Sequence, residues 1–265
     1  MYSSDIKIKY NKNSVIHKRK MKNETIKNLK KLKSKKNLTV SVITCTNRPY
    51  LLDNILNNYL SQDFKEKELI IIINKDNVNL DKIKNKIRNH KDIKVFNLSS
   101  KYSLGKCLNE AIEKSKHNII AKFDDDDYYG KKYLSSSINA FLYTDADIIG
   151  KSASFVYFKE SKILAIRNPK KENRYTNNIE GSTMIINKDV FNYVKFRDMS
   201  LGEDREFCKD CHKKGIKIYA HDKFNHVYIR HGYSHSHTWS ASDDFFKKLC
   251  FKIGKVEDYK SYVNK

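Results

Sequence analysis

What this 265-residue chain lacks narrows its class first. It has only two prolines, no internal repeat and no flexible linker after Asn37, so the text from there on reads as one large domain. No window of eighteen or more apolar residues occurs, which argues against a membrane-crossing helix. The opening "MYSSDIKIKYNKNSVIHKRK" lacks the apolar core of a secretory signal, so the expected location is the cytoplasm. Five cysteines (Cys45, Cys107, Cys208, Cys211, Cys250), odd in number and scattered, do not form a disulfide framework; reduced thiols are expected. Cys208, Cys211 and His212 spell "CKDCH", the pattern of covalent haem attachment. That chemistry belongs to exported proteins, however, and "REFCKDCHKKG" has the pattern of an ordinary helix with its thiols at i and i+3.

Positive charge is what the chain has in excess, a formal net +22. The first 36 residues hold thirteen Lys/Arg and two acidic residues, about half of that excess. Residues 1–37 therefore read as a basic, partly helical extension, with Ile16, Met21, Ile26, Leu29 and Leu32 forming a narrow apolar stripe. An anionic membrane surface is a partner open to it, with peripheral attachment as the consequence. The stripe lacks the Trp and Phe of an interfacial helix, and a solvated tail is the plainer reading.

Residues 38–265 alternate strand and helix. "LTVSVITC" is a β-branched run, "RPYLLDNILNNYLSQ" carries a helical apolar face, and "ELIIIIN" is a fully apolar strand suited to a buried parallel position. A polar helix over 79–89, a strand "IKVFNL", an amphipathic helix around Leu104 to Ile112 and a fourth strand "NIIAKF" follow. This predicts an α/β fold, a Rossmann-like, mixed and mainly parallel sheet flanked by helices in a single domain. The second half, with candidate strands at "SASFVYF", "KILAIR", "STMIIN", "KIYAH" and "NHVYIR", reads as a mixed continuation of that sheet.

Directly after the fourth strand stand four aspartates, Asp124, Asp125, Asp126 and Asp127. Ligands of open α/β sheets bind beyond the carboxyl ends of the strands, so the position marks a site. Two ionised carboxylates about 5 to 6 Å apart repel by about 3 kcal/mol at an effective dielectric of roughly 20, so the cluster raises its pKa values or recruits a cation. Hard oxygen donors favour Mg²⁺ or Mn²⁺, with substrate phosphates completing the shell. An extended chain would turn Asp124 and Asp126 to one side and Asp125 and Asp127 to the other. The competing explanation is an acidic turn capping the helix that begins near Lys131.

In their order, "VSVITCTNRPYLLDNILNNYLSQDFKEKELIIIIN", "SLGKCLNEAI", "FDDDDYYG", "GSTMIINKDVF" and "GEDREFCKDCHKKGIKIY" resemble glycosyltransferase family 2, whose members have the GT-A fold and use nucleotide-sugars. The resemblance covers roughly Val40 to Trp239. It implies a metal-dependent, inverting transfer of a sugar from a nucleotide diphosphate donor, most readily UDP-linked, to a glycan or other acceptor hydroxyl, as in polysaccharide or surface-glycan synthesis. It implies that Thr44, Cys45, Asn47 and Arg48 line the nucleotide pocket. Gly105 opens the helix beside it, and Asn74 or Asp76 replaces the aspartate that the family often has after its second strand. On the Asp-x-Asp pattern, Asp124 contacts ribose or metal and Asp126 is the main metal ligand; a shift by one residue keeps Asp125 and Asp127 open. Glu203 and Asp204 resemble the acidic pair whose aspartate is the general base. In "NHVYIRHGYSHSHTW", His235 matches the histidine that completes the metal shell and Arg230 a residue facing the diphosphate.

A separate zinc site in this histidine-rich stretch is a further reading, but it lacks the HExxH arrangement. Two other functions compete with the transferase. A polyanion-binding module without catalysis would explain the basic charge, although no motif for specific nucleic-acid reading is present. A metal-dependent nucleotidyltransferase would use the same carboxylates and release pyrophosphate.

Overall fold

The computed structural model describes residues 38–231 and 242–265, which belong to one compact unit. The basic extension and His235 lie outside the described residues.

The first half alternates as its apolar pattern dictates. Strand β1 (Val40–Thr46) leads to helix α1 (Leu52–Leu60), β2 (Lys67–Asn74), α2 (Leu80–Ile87), β3 (Ile93–Leu98), α3 (Leu104–Lys114) and β4 (Ile119–Lys122). Asn79 and Ser103 cap α2 and α3, each side chain accepting a backbone N–H three residues on. The four strands pair in parallel in the order β3-β2-β1-β4. The middle of β2 is buried on both faces, as a run of four isoleucines requires. Ile71 and Ile73 pack into the layer beside α1 and α4, whereas Ile70 and Ile72 pack into the layer containing α3.

Strand β5 (Tyr128–Tyr129) and α4 (Tyr133–Tyr143) follow, then β6 (Ile148–Gly150), β7 (Ser154–Phe158), β8 (Ile163–Arg167), β9 (Arg174–Thr176) and β10 (Ile185–Asn187). Next come α5 (Glu203–Lys213), β11 (Ile218–Ala220), β12 (His226–Arg230), α6 (Asp243–Lys248), β13 (Cys250–Lys255) and α7 (Lys260–Val263). These residues do not simply continue the first sheet. β10, β6, β11 and β9 extend it beyond β4 to eight strands, while β13-β8-β7-β12-β5 form a second, five-stranded sheet. The fold is a mixed α/β architecture with a parallel first half. "CKDCH" lies on α5, with Cys208 and Cys211 buried in the apolar layer, which is the helical reading.

Connections run away from β1 in both directions, to β2 on one side and β4 on the other, so the crevice opens beyond the carboxyl ends of these two strands. Thr46 and Arg48 leave β1 there, and the tetrad leaves β4.

Candidate active site

Period-two alternation of the aspartates is not realised, because residues 125–127 bend before pairing resumes at Tyr128. Asp125 and Asp126 consequently share one partner, Arg48. Its Nε donates to Asp125 Oδ2 at 3.1 Å and its terminal nitrogen to Asp126 Oδ2 at 2.9 Å, with a further close bond to Asp125. The Thr46 hydroxyl also donates to Asp125. Asn54 and Asn58, one turn apart on α1, hold the loop by its backbone. Asn54 donates to the carbonyls of Asp125 (2.8 Å) and Asp127 (3.0 Å), and Asn58 to that of Asp127 (2.8 Å).

The ends of the tetrad differ. Asp124 is the most open, its side chain 38% exposed, and it pairs with Lys122, a buried ammonium at the end of β4. Burial opposes charge on Lys122, but Asp124, Glu203 and Asp204 outweigh it and raise its pKa above the ordinary lysine value. Asp127 is enclosed beneath the second sheet. Ile229 N–H donates to its Oδ1 at 3.1 Å, and His226 Nε2 lies 3.3 Å from Oδ2 and 3.2 Å from Ser182 Oγ. Burial and the neighbouring carboxylates push both Asp126 and Asp127 upward. Burial, with Lys151 nearby, drives His226 down to about 3, so its ring is neutral at ordinary pH.

Glu203 and Asp204 open α5 within electrostatic reach of Lys122. Burial raises Glu203 to about 7; Lys122 opposes the shift and Asp204 adds to it. Glu180, bonded to Arg167 at 2.7 Å, is likewise raised by burial to about 7, with Asp204 and Asp127 contributing. Gly181 is required here, because a Cβ at this position would overlap the Asp204 carboxylate. Tyr129 ties the two halves together, donating from its hydroxyl to Ser182 O at 2.7 Å while accepting the Asp124 N–H at 2.8 Å.

The capping explanation for the tetrad fails, since α4 has no acidic residue in its first turn. Thr44 is buried at the same crevice, its hydroxyl without a hydrogen-bond partner among the described residues. Cys45 is half-buried with its thiol pKa raised by burial, and Asn47 is exposed. Asn74 and Asp76 follow β2 and brace the loop after β3, Asn74 donating to Ser99 O at 2.6 Å and Asp76 accepting the Ser100 N–H at 3.1 Å. Gly105 has a packing duty: its N–H reaches Met199 O at 3.0 Å, and a side chain would strike the Arg197 carbonyl. Arg230 is buried and its Nε donates to Asp243 on α6 at 2.9 Å, so in this arrangement a carboxylate of the chain faces the guanidinium.

Sequence reasoning passed over Lys122, Thr46, Asn54, Asn58 and Glu180, and took His226 only as a member of the histidine-rich stretch. Three of these carried a signal. Lys122 is the one charge inside "NIIAKF", and a buried charge needs partners; Asn54 and Asn58 repeat at i and i+4 beside the apolar stripe of α1.

Asp124 and Asp126 give hard carboxylate oxygens beside the crevice, a donor set suited to Mg²⁺ or Mn²⁺. Among the described residues no three His, Cys, Asp or Glu side chains converge to hold an ion by themselves. One or two carboxylates with ligand phosphates and water is the usual way Mg²⁺ is held.

Against known proteins, residues 41–198, more than half of the chain, match the description "Glycosyl transferase family 2". No curated protein matches. Among solved structures, the chain resembles S. aureus TarS 1–349 in complex with UDP-GlcNAc (19% identity, TM-score 0.57, covering 79% of this chain and 64% of that one). It also resembles the mannosyltransferase PcManGT from Pyrobaculum calidifontis in complex with GDP-Man and Mn²⁺ (13% identity, TM-score 0.59, covering 76% and 59%). The chain spans less than two thirds of the length of either structure, and the likeness establishes the shared GT-A fold.

Proposed function

The chain belongs to glycosyl transferase family 2, and from that premise we propose that residues 38–265 form a catalytic domain that transfers a sugar from a nucleotide diphosphate donor to an acceptor hydroxyl, with inversion. The observation carrying this reading is the meeting of two acidic groups around Lys122. The Asp124–Asp127 loop approaches from β4, and Glu203 with Asp204 approaches from the start of α5.

Thr44, whose buried hydroxyl has no partner among the described residues, and the residues that follow it suit the base and ribose of the donor. A UDP-sugar is the first candidate, because the TarS structure holds UDP-GlcNAc; GDP-mannose in PcManGT is the second. Mg²⁺ or Mn²⁺, held by Asp124 and Asp126 with His235 as a further ligand, would supply positive charge to the departing diphosphate. Asp204 takes the proton of the acceptor hydroxyl as that oxygen attacks the anomeric carbon. Lys122 lies within electrostatic reach of Asp204, and Gly181 leaves room for its carboxylate. Glu203, raised to about 7 by burial, stands next to Asp204 at the start of the same helix.

The test is donor binding and turnover with UDP-GlcNAc, UDP-glucose and GDP-mannose, with and without Mn²⁺. Asp204→Asn is expected to keep donor affinity while transfer falls by about 100-fold or more. Unchanged transfer would remove Asp204 from its role. Release of pyrophosphate from a nucleoside triphosphate would identify a nucleotidyltransferase instead.

A further inference from the structure

The end of the second sheet carries a surface unlike the rest of the molecule. Among the described residues, six large non-tyrosine apolar side chains stand exposed, and four of them, Phe245, Leu249, Phe251 and Ile253, fall within nine residues of α6 and β13. Single exposed apolar residues are ordinary; four together mark an interaction surface. The same stretch, "FFKKLCFKIGK", sets lysines among them. Lys248, Lys252 and Lys255 are exposed, and no carboxylate pairs with them among the described residues. Of the nearby acids, Asp243 is bonded to Arg230, Asp244 to Lys247, and Glu257 to Lys162.

From this we infer that the α6–β13 edge docks the protein on an anionic phospholipid bilayer. Aromatic and aliphatic side chains next to unpaired lysines are the composition of a peripheral interfacial element, in which apolar groups enter the headgroup boundary and cations meet lipid phosphates. A second copy of the chain fits less well. Among the described residues β13 pairs with β8 alone, but the strand is bulged between Lys252 and Gly254 and bears Lys252 and Lys255, features that oppose edge-to-edge pairing. Docking two such edges would also bring like charges together. The surface is attached to the body: Phe246, on α6, is fully buried, with the guanidinium groups of Arg167 and Arg230 5.3 and 5.4 Å from its ring centre. This inference does not depend on the catalytic proposal and concerns residues outside the crevice.

Two measurements on the full-length chain decide it. In sedimentation with vesicles of phosphatidylglycerol and phosphatidylcholine, the wild type is expected to bind, and to bind pure phosphatidylcholine far less. The double variant Phe251→Ser/Ile253→Ser, altered only at exposed positions, is expected to lose affinity by roughly tenfold. Separately, Phe251→Trp is expected to shift its emission to the blue on addition of phosphatidylglycerol vesicles, after subtraction of the wild-type signal from Trp239. The second readout is local, so binding through the basic residues 1–37 cannot imitate it. Wild-type affinity in the double variant, or no shift at position 251, would overturn the inference. Concentration-dependent dimerisation abolished by the double variant, with no vesicle effect, would assign the edge to a second copy and overturn it as well.

Discussion

The two ends of one aspartate run do different physical jobs. Asp124 stands at the open side of the crevice, balanced by Lys122, while Asp125 and Asp126 lean on Arg48. Asp127, three positions on, is fully buried beneath the second sheet, held by Ile229 N–H and His226. The first arrangement offers carboxylate oxygens to a ligand. The second consumes the carboxyl group in fixing where the loop turns. Four chemically identical side chains are thus divided by what surrounds them, and the division follows from a bend that no local repeat encodes.

The strongest way to break this comparison is to remove one member of each arrangement. Asp126→Asn is expected to lower transfer by about 100-fold or more, with metal-dependent donor binding weakened in calorimetry and unfolding free energy changed little. Asp127→Ala is expected to act on stability instead. It leaves the Ile229 N–H unpartnered and His226 with Ser182 alone in a buried site, at a cost of about 2 kcal/mol in urea unfolding. Equal stability of the two variants would erase the distinction drawn here.

An effect of similar size comes from Glu203. Its folded pKa of about 7 lies above the ordinary value of 4.5. A group raised in this way contributes stability that is fully present below its unfolded pKa and is lost as pH rises through the folded one. Glu203→Gln has no such loss, so between pH 5 and pH 8 its stability should gain on the wild type by about 2 kcal/mol, read from paired urea curves. A constant difference would place Glu203 in a more solvated setting. The smallest expected change is Gly181→Ala. Displacing the Asp204 carboxylate from its place should reduce turnover by roughly tenfold while the Michaelis constant for the donor holds, measured by steady-state kinetics.

Much of the first half was legible because its pattern is redundant. The isoleucine run of β2, the apolar faces of α1 and α3, and the order of strands and helices each point to a parallel sheet, and the crevice beyond β1 and β4 follows from that topology. The second half was less so. β5, β6 and β9 are two or three residues long, too short for periodicity to register, and they acquire strand geometry from partners far away in the chain. α6 and β13 also went unread, because an edge strand with exposed apolar residues lacks the alternation that identifies a half-buried one. Arg230 illustrates the same limit at a single residue: the text "NHVYIR" supplies a guanidinium near the site, but the position of α6 determines that Asp243 meets it.

The sequence by itself determined the chemistry available: an acidic loop after a buried strand, an acidic pair at a helix start, and an arginine after the first strand. These are local facts, set by residue type and by hydrophobic period. Tertiary structure decided the allocation, giving Asp127 to the second sheet, Arg48 to Asp125 and Asp126, and Lys122 to Asp124 within electrostatic reach of Glu203 and Asp204. Charges in a low-dielectric interior take their state from whichever groups lie within a few ångströms, and those neighbours are brought together only when distant strands pair.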